Sequence, residues 1–230
     1  STQSLTGVGF QPDWTWIKTR NHGNSHNVFD AVRGANKVLR SNSTNAEVTT
    51  TDTLTAFTSD GFSLGVDASG YGVNYDNKNE VAWNWKANGA GSANSDGNAS
   101  NVTVSADATR GFSIVKFDTG QSTKSIGHGL GVAPEVIIMK QMDGASAWIV
   151  GSTYIGWNTY MMLNSTNAKS TETRMFYPNS NVPTASVWET EGSAWLATTN
   201  GTCIAYCFAS KKGFSKFGKY SGNGSTDGTF

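Results

Sequence analysis

Gly9-Phe10-Gln11-Pro12-Asp13-Trp14-Thr15-Trp16-Ile17-Lys18 returns as Gly131-Val132-Ala133-Pro134-Glu135-Val136-Ile137-Ile138-Met139-Lys140, with proline over proline, acid over acid and lysine over lysine. Pro134 lies 122 residues after Pro12, and the same offset carries Asn42-Ser43-Thr44-Asn45-Ala46 onto Asn164-Ser165-Thr166-Asn167-Ala168 without a gap. Two separated matches in one register point to an internal duplication. Further on, Val81-Ala82-Trp83-Asn84-Trp85 falls on Ile204-Ala205-Tyr206-Cys207-Phe208 with one residue gained, and Gly111-Phe112-Ser113 meets Gly213-Phe214-Ser215 at a smaller offset. We therefore divide the chain into repeat 1, residues 1–121, with a loop insertion at 88–110, and repeat 2, residues 122–230. Ser1-Thr2-Gln3-Ser4 resembles both Ser122-Thr123-Lys124-Ser125 and Ser225-Thr226-Asp227-Gly228, so the chain reads as one cut from a longer array.

Within the opening stretch, Trp14, Trp16 and Lys18 alternate with Thr15 and Ile17, the period of a β-strand, and Pro12 marks its start. Val136 to Lys140 is apolar on both faces up to the lysine, as in a more central strand. Further strands are predicted at His26–Val32, Lys37–Ser41, Leu54–Phe57, Val81–Lys86, Val102–Ser105, Ser113–Asp118, Trp148–Ser152, Tyr160–Asn164, Ser186–Glu189, Ala194–Ala197, Cys203–Ala209 and Lys216–Tyr220. Gly and Asn clusters punctuate them, and nowhere do apolar residues recur with helical spacing over three turns. One short helical turn is expected near Thr51–Thr55. The reading is an all-β protein, an antiparallel β-sandwich or jelly roll built from two tandem repeats. A repeat of this length supports either a sandwich closed within each copy or two sheets shared by both.

Composition narrows the function. The 230 residues have a net charge of +0 and 15% charged side chains, so there is no basic field for a nucleic-acid backbone. No apolar run is long enough for a membrane helix, and Ser1 does not open a signal peptide, so the chain reads as soluble and not exported by Sec. Low charge favours work inside an assembly. Cys203 and Cys207 share one strand, too far apart to bridge, and read as buried thiols.

Motifs for chemistry are sparse. No nucleophile elbow, zinc-protease helix, Walker loop or dinucleotide fingerprint stands in a fitting context, and Gly127-His128-Gly129-Leu130-Gly131 precedes a strand, as a turn would. No catalytic residue and no cofactor are assigned. His22 and His26 form a weak metal pair with His128 far along the chain, and Asp67, Asp76 and Glu80 offer weak oxygen ligands for Ca²⁺ without EF-hand spacing. Glu189 and Glu191 beside Trp188 and Trp195 are the one carboxylate and aromatic grouping a glycoside-active enzyme would use. Tyr71, Tyr75, Tyr154, Trp157 and Tyr177 lie in Gly/Asn-rich loops where half-wet rings stack on sugars, whereas Trp14, Trp16, Trp83 and Trp85 read as core. Asn42, Asn164 and Asn200 head N-x-[ST] triplets that composition alone explains.

The strings Asn27-Val-Phe-Asp-Ala-Val-Arg-Gly34, Phe57-Thr-Ser-Asp-Gly-Phe-Ser-Leu-Gly65 and Val81-Ala-Trp-Asn-Trp-Lys86, with Gly213-Phe-Ser-Lys-Phe-Gly-Lys-Tyr-Ser-Gly-Asn-Gly224 in the second copy, resemble a repeat family of marine bacteriophage virion and tail-fibre-like proteins. The resemblance covers nearly the whole chain. It implies concanavalin A-like sandwich modules, a virion or extracellular location, and a non-enzymatic structural role as fibre, decoration or appendage. Partners would be other copies or virion proteins, and host surface glycans reached through the loops. The alternative is an extracellular carbohydrate-binding module or lectin.

Overall fold

The computed structural model describes residues 1–192, 196 and 201–224. Repeat 1 forms β1 (Gln3–Leu5), β2 (Trp14–Thr19), β3 (Asn27–Asp30), β4 (Lys37–Arg40), β5 (Val48–Thr49), β6 (Leu54–Thr58), β7 (Gly61–Leu64) and β8 (Glu80–Trp85). Then come β9 (Ser92–Ala93), β10 (Thr103–Asp107) and β11 (Phe112–Asp118). Repeat 2 forms β12 (Lys124–Gly127), β13 (Val136–Gln141), β14 (Ile149–Ser152), β15 (Thr159–Met162), β16 (Ser170–Thr171), β17 (Val187–Thr190) and β18 (Thr202–Phe208), with 3-10 turns at Thr173–Met175 and Pro178–Ser180. The protein is all-β, and every strand pairing is antiparallel among the described residues.

The register repeats with the sequence. Trp14 pairs with Asp30 and Trp85, and Val136 pairs with Ser152 and Phe208. Asn27 faces Arg40 as Ile149 faces Met162, and Lys37 faces Thr49 as Thr159 faces Thr171. A five-stranded sheet β5-β4-β3-β2-β8 thus recurs as β16-β15-β14-β13-β18. Each is backed by a smaller sheet, β1-β7-β6 in repeat 1 and β12-β17 in repeat 2. In the second copy the order continues through β11-β10-β9, giving eight strands.

Side-chain alternation sorts these layers. Ile17, Phe29, Leu54 and Phe62 fill the core of repeat 1. Phe117, Ile126, Met139, Phe176 and Trp188 fill that of repeat 2. Trp14, Leu39, Phe112, Trp148, Ile204 and Tyr206 form a third core. That core joins the five-stranded sheet to the eight-stranded one, so each repeat has its own two-sheet stack and the stacks lie back to back. Each fully buried side chain of this size contributes roughly 1.5–3 kcal/mol. Where repeat 1 has Phe29, repeat 2 has Gly151, and a Cβ there would come within 2.4 Å of the Phe176 ring that fills the space. A large residue on one strand is replaced by a large residue from the facing segment.

The residues that recur are those that tie loops. Asp13 Oδ2 accepts from the Ala87 amide at 2.7 Å, and Glu135 Oε1 accepts from the equivalent Ser210 amide at 3.3 Å. Asn42 Oδ1 takes the His26 amide and Asn164 Oδ1 the Trp148 amide, at 2.9 and 2.7 Å. Ser43 and Ser165 each close the following turn on Asn45 and Asn167, both at 3.1 Å. Lys18 and Lys140 each point the ammonium into the carbonyls of the next loop, and Lys140 also bonds Thr44 O of repeat 1. The two N-x-[ST] triplets are therefore turn motifs.

Four expectations are corrected. The insertion at 88–110 is not only loop: it contains β9 and β10, which extend the sheet of the other repeat. Residues 51–52 form a turn leading into β6, and the short helical turns lie in repeat 2. Lys216–Tyr220 is not a strand, because Ser215 bonds back to Lys211 and Phe217 to Ser210 Oγ, folding the segment on itself. Trp83, expected in the core, is 46% exposed on β8. The expected strand Ala194–Ala197 (apart from Leu196), Trp195, Asn200 and the segment Ser225–Gly228 lie outside the described residues.

Candidate functional site

At the margin of the shared core the two sheets part into a cleft of about 730 Å³. Its floor is aromatic: Trp14, Trp16 and Trp85 from repeat 1, with Phe112, Phe208 and Phe217. Trp14 and Trp16 share a face because β2 alternates, and Trp85 faces Trp14 because β8 pairs with β2 in that register. Trp14 is the hub, with ring centroids 4.5 Å from Trp85, 5.1 Å from Tyr206 and 5.9 Å from Trp16, all tilted. Phe208 and Phe112 lie 4.9 Å apart beneath. The rim is polar and cationic, with Asn84, Lys86, Arg110 and Lys216. Arg110 lies over the Phe214 ring at 5.5 Å and is held by Asp107.

Two tryptophans of the cleft lining carry donors without a protein partner. The indole N–H groups of Trp14 and Trp16 are buried without an acceptor. Leaving such a group unpaired costs about 1–3 kcal/mol. The site offers flat apolar faces and a polar, positive rim.

Bonds between the repeats clamp them together near the cleft. Buried Arg33 bonds Asp30 at 2.5 Å and Glu47 at 3.1 Å, and the Tyr206 hydroxyl from repeat 2 donates to Asp30 at 2.7 Å. Burial works against the charge on Arg33, but Asp30 and Glu47 outweigh it and raise its pKa. Burial, and then Asp30, push the Tyr206 hydroxyl well above its ordinary value, so it stays a donor. Trp148 Nε1 donates to Arg40 O at 2.8 Å, a second bond across the repeats.

The loop aromatics do not converge on this cleft. Trp157 is buried at 8% exposure against Phe176, so it is core and not a stacking platform. Tyr177 is half-buried on the same core. Tyr154 spends its hydroxyl on Glu135 at 2.6 Å. Tyr71 packs on the core of repeat 1 under Arg40, 5.4 Å away. Tyr75 is the most open, 38% exposed, and stacks on His22 at 5.2 Å. The cleft went unread because its tryptophans alternate as core residues do, and alternation reports the face of a sheet but not how near its margin a residue stands.

The weak metal candidates separate. Asp67 accepts the amides of Tyr71, Gly72 and Val73 at 2.7 to 3.0 Å, which makes it the organiser of its own loop. Asp76 pairs with Asn77, His22 with Asn24, and the His26 amide with Asn42. Among the described residues no three His, Cys, Asp or Glu gather as metal ligands would. Trp188 is buried on β17, on the opposite face from Glu189, so the carboxylate and aromatic wall is not built there. His128 is also buried, bonded to Thr184 O and the Leu130 amide, and burial lowers its pKa. Both cysteines are free and buried, and burial raises both thiols. No helix among the described residues is long and apolar enough to cross a membrane.

Fold and cleft together define a duplicated antiparallel β-sandwich protein with an aromatic cleft at the seam between its repeats. A family model matches residues 1–230, and the chain belongs to that family, described as a domain of unknown function (DUF7483). No curated protein and no solved structure matches it.

Proposed function

We propose that this chain is a non-catalytic structural and binding module whose seam cleft holds a carbohydrate ring. The observation that carries the reading is the aromatic floor of the cleft beneath a rim of Asn84, Lys86, Arg110 and Lys216. A sugar ring supplies both complements, C–H faces for the rings and hydroxyl oxygens for the donors of the rim. The cationic rim favours acidic sugars, an attraction that salt weakens. The likeness of the repeat to bacteriophage virion proteins supports a virion-surface setting, where many weak sites add to useful avidity.

Titration of the chain with neutral and uronic-acid oligosaccharides, read by tryptophan fluorescence, tests this. Saturable binding is expected, weakened about three- to tenfold by Trp16→Ala and unchanged by Tyr75→Ala. Binding indifferent to Trp16→Ala, or no binding to any sugar, overturns the cleft. Mass spectrometry of purified phage particles separates the virion setting from the second reading, a free extracellular carbohydrate-binding module, which the same cleft would serve.

A further inference from the structure

The seam holds a second hollow, of about 640 Å³, lined by Trp16, His26 and Asn42 from repeat 1 and by Leu163, Asn164 and Thr166 from repeat 2. Trp16 also lines the aromatic cleft, so the two hollows meet at one half-buried ring. Carrying the β2–β3 register one residue further sets His26 opposite Lys18, and from Trp14 to that level is about 13 Å of strand. The facing wall is continuous as well. Ile138 of the cleft pairs with Val150, and Val150 with Met161, so the three share a face of the sheet, and Leu163 follows on that face. Val150 is half-buried, and Met161 and Leu163 are exposed.

The polar character changes along this path. Lys86, Arg110 and Lys216 line the first hollow, whereas the second carries amides, hydroxyls and an imidazole, with no Lys, Arg, Asp or Glu among its described lining residues. Asn42 and Asn164 are equivalent in the two repeats, and both line the second hollow. Each gives Oδ1 to a backbone amide, of His26 and of Trp148, and neither Nδ2 has an acceptor among the described residues.

We infer that the two hollows form one groove along the seam, and that its occupant is a glycan chain of several sugars, acidic at the Arg110 end and neutral beside Asn42 and Asn164. The inference rests on the carbohydrate reading of the aromatic cleft and adds to it a length and a direction. Sugar hydroxyls accept from the two amides, and C–H faces cover Trp16 and Leu163.

Calorimetric titration with neutral oligosaccharides of increasing length, and with the same chains carrying a uronic acid at one or both ends, tests this. Affinity is expected to rise about tenfold from a single ring to the longer chains and then level off. Asn164→Asp keeps the acceptor for the Trp148 amide but removes the donor, and Leu163→Ala trims the exposed wall; each lowers the ratio of long-chain to single-ring affinity about threefold. One terminal acid tightens binding in a salt-sensitive way, and a second at the other end adds nothing. Equal affinity for single rings and long chains, or a ratio indifferent to both variants, overturns the groove and leaves the cleft standing. A second acid that adds as much as the first overturns the direction. Failure of every sugar, single rings included, removes the cleft itself and the groove with it.

Discussion

Tyr206 and Trp83 stand at the same place in two copies of one sheet, and one is sealed while the other is wet. The sequences of β8 and β18 both carry aromatics on the face toward the shared core. Their environments differ because β18 pairs with β11 on its outer edge, whereas among the described residues β8 pairs with β2 alone. Burial is a property of neighbours, and a duplicated strand inherits its pattern without inheriting its partner.

The sharpest way to break this comparison is to truncate both residues. Tyr206→Ala removes a fully buried ring and the hydroxyl that bonds Asp30, and an expected loss of about 4 kcal/mol is read by denaturant unfolding. Next in size, Arg33→Met leaves Asp30 buried without its cation, at about 3 kcal/mol, and tests whether the clamp holds the repeats together.

Lys140 gives a smaller, pH-dependent effect. It is buried, and burial lowers its pKa from 10.5 to about 8. The unfolded chain then binds the extra proton between about pH 8 and 10.5, so stability rises with pH across that window. Lys140→Met, which has no proton to release, is expected to lose that rise when unfolding midpoints of both proteins are compared from pH 7 to 10.5. A rise of equal size in both would assign it to other groups. The smallest effect is Trp83→Ala, within about 0.5 kcal/mol in dilute protein. If it cost as much as Tyr206→Ala, the two edges would be equivalent and β8 already covered.

Much of the scaffold was legible from residues alone. Trp14-Thr15-Trp16-Ile17-Lys18 alternates because a sheet has two faces, and the offset of its copy carried over to the pairing register, residue by residue. The recurrent acid, asparagine and lysine could be seen as repeated but not as loop ties, since the partners are mostly backbone groups, up to 96 residues away, which carry no signature in the sequence. The loop aromatics misled because a ring in a Gly/Asn-rich segment looks wet, yet the segment holding Trp157 folds over Phe176 and buries it.

Side-chain periodicity, turn residues and a repeated register are local quantities, and from them the sequence by itself determined an all-β chain made of two like halves. Which sheet each trailing strand joins, where two faces part into a cleft, and whether an aromatic is sealed or open depend on contacts between residues distant in the chain. Those were decided only when the halves packed back to back and β11 crossed from one to the other.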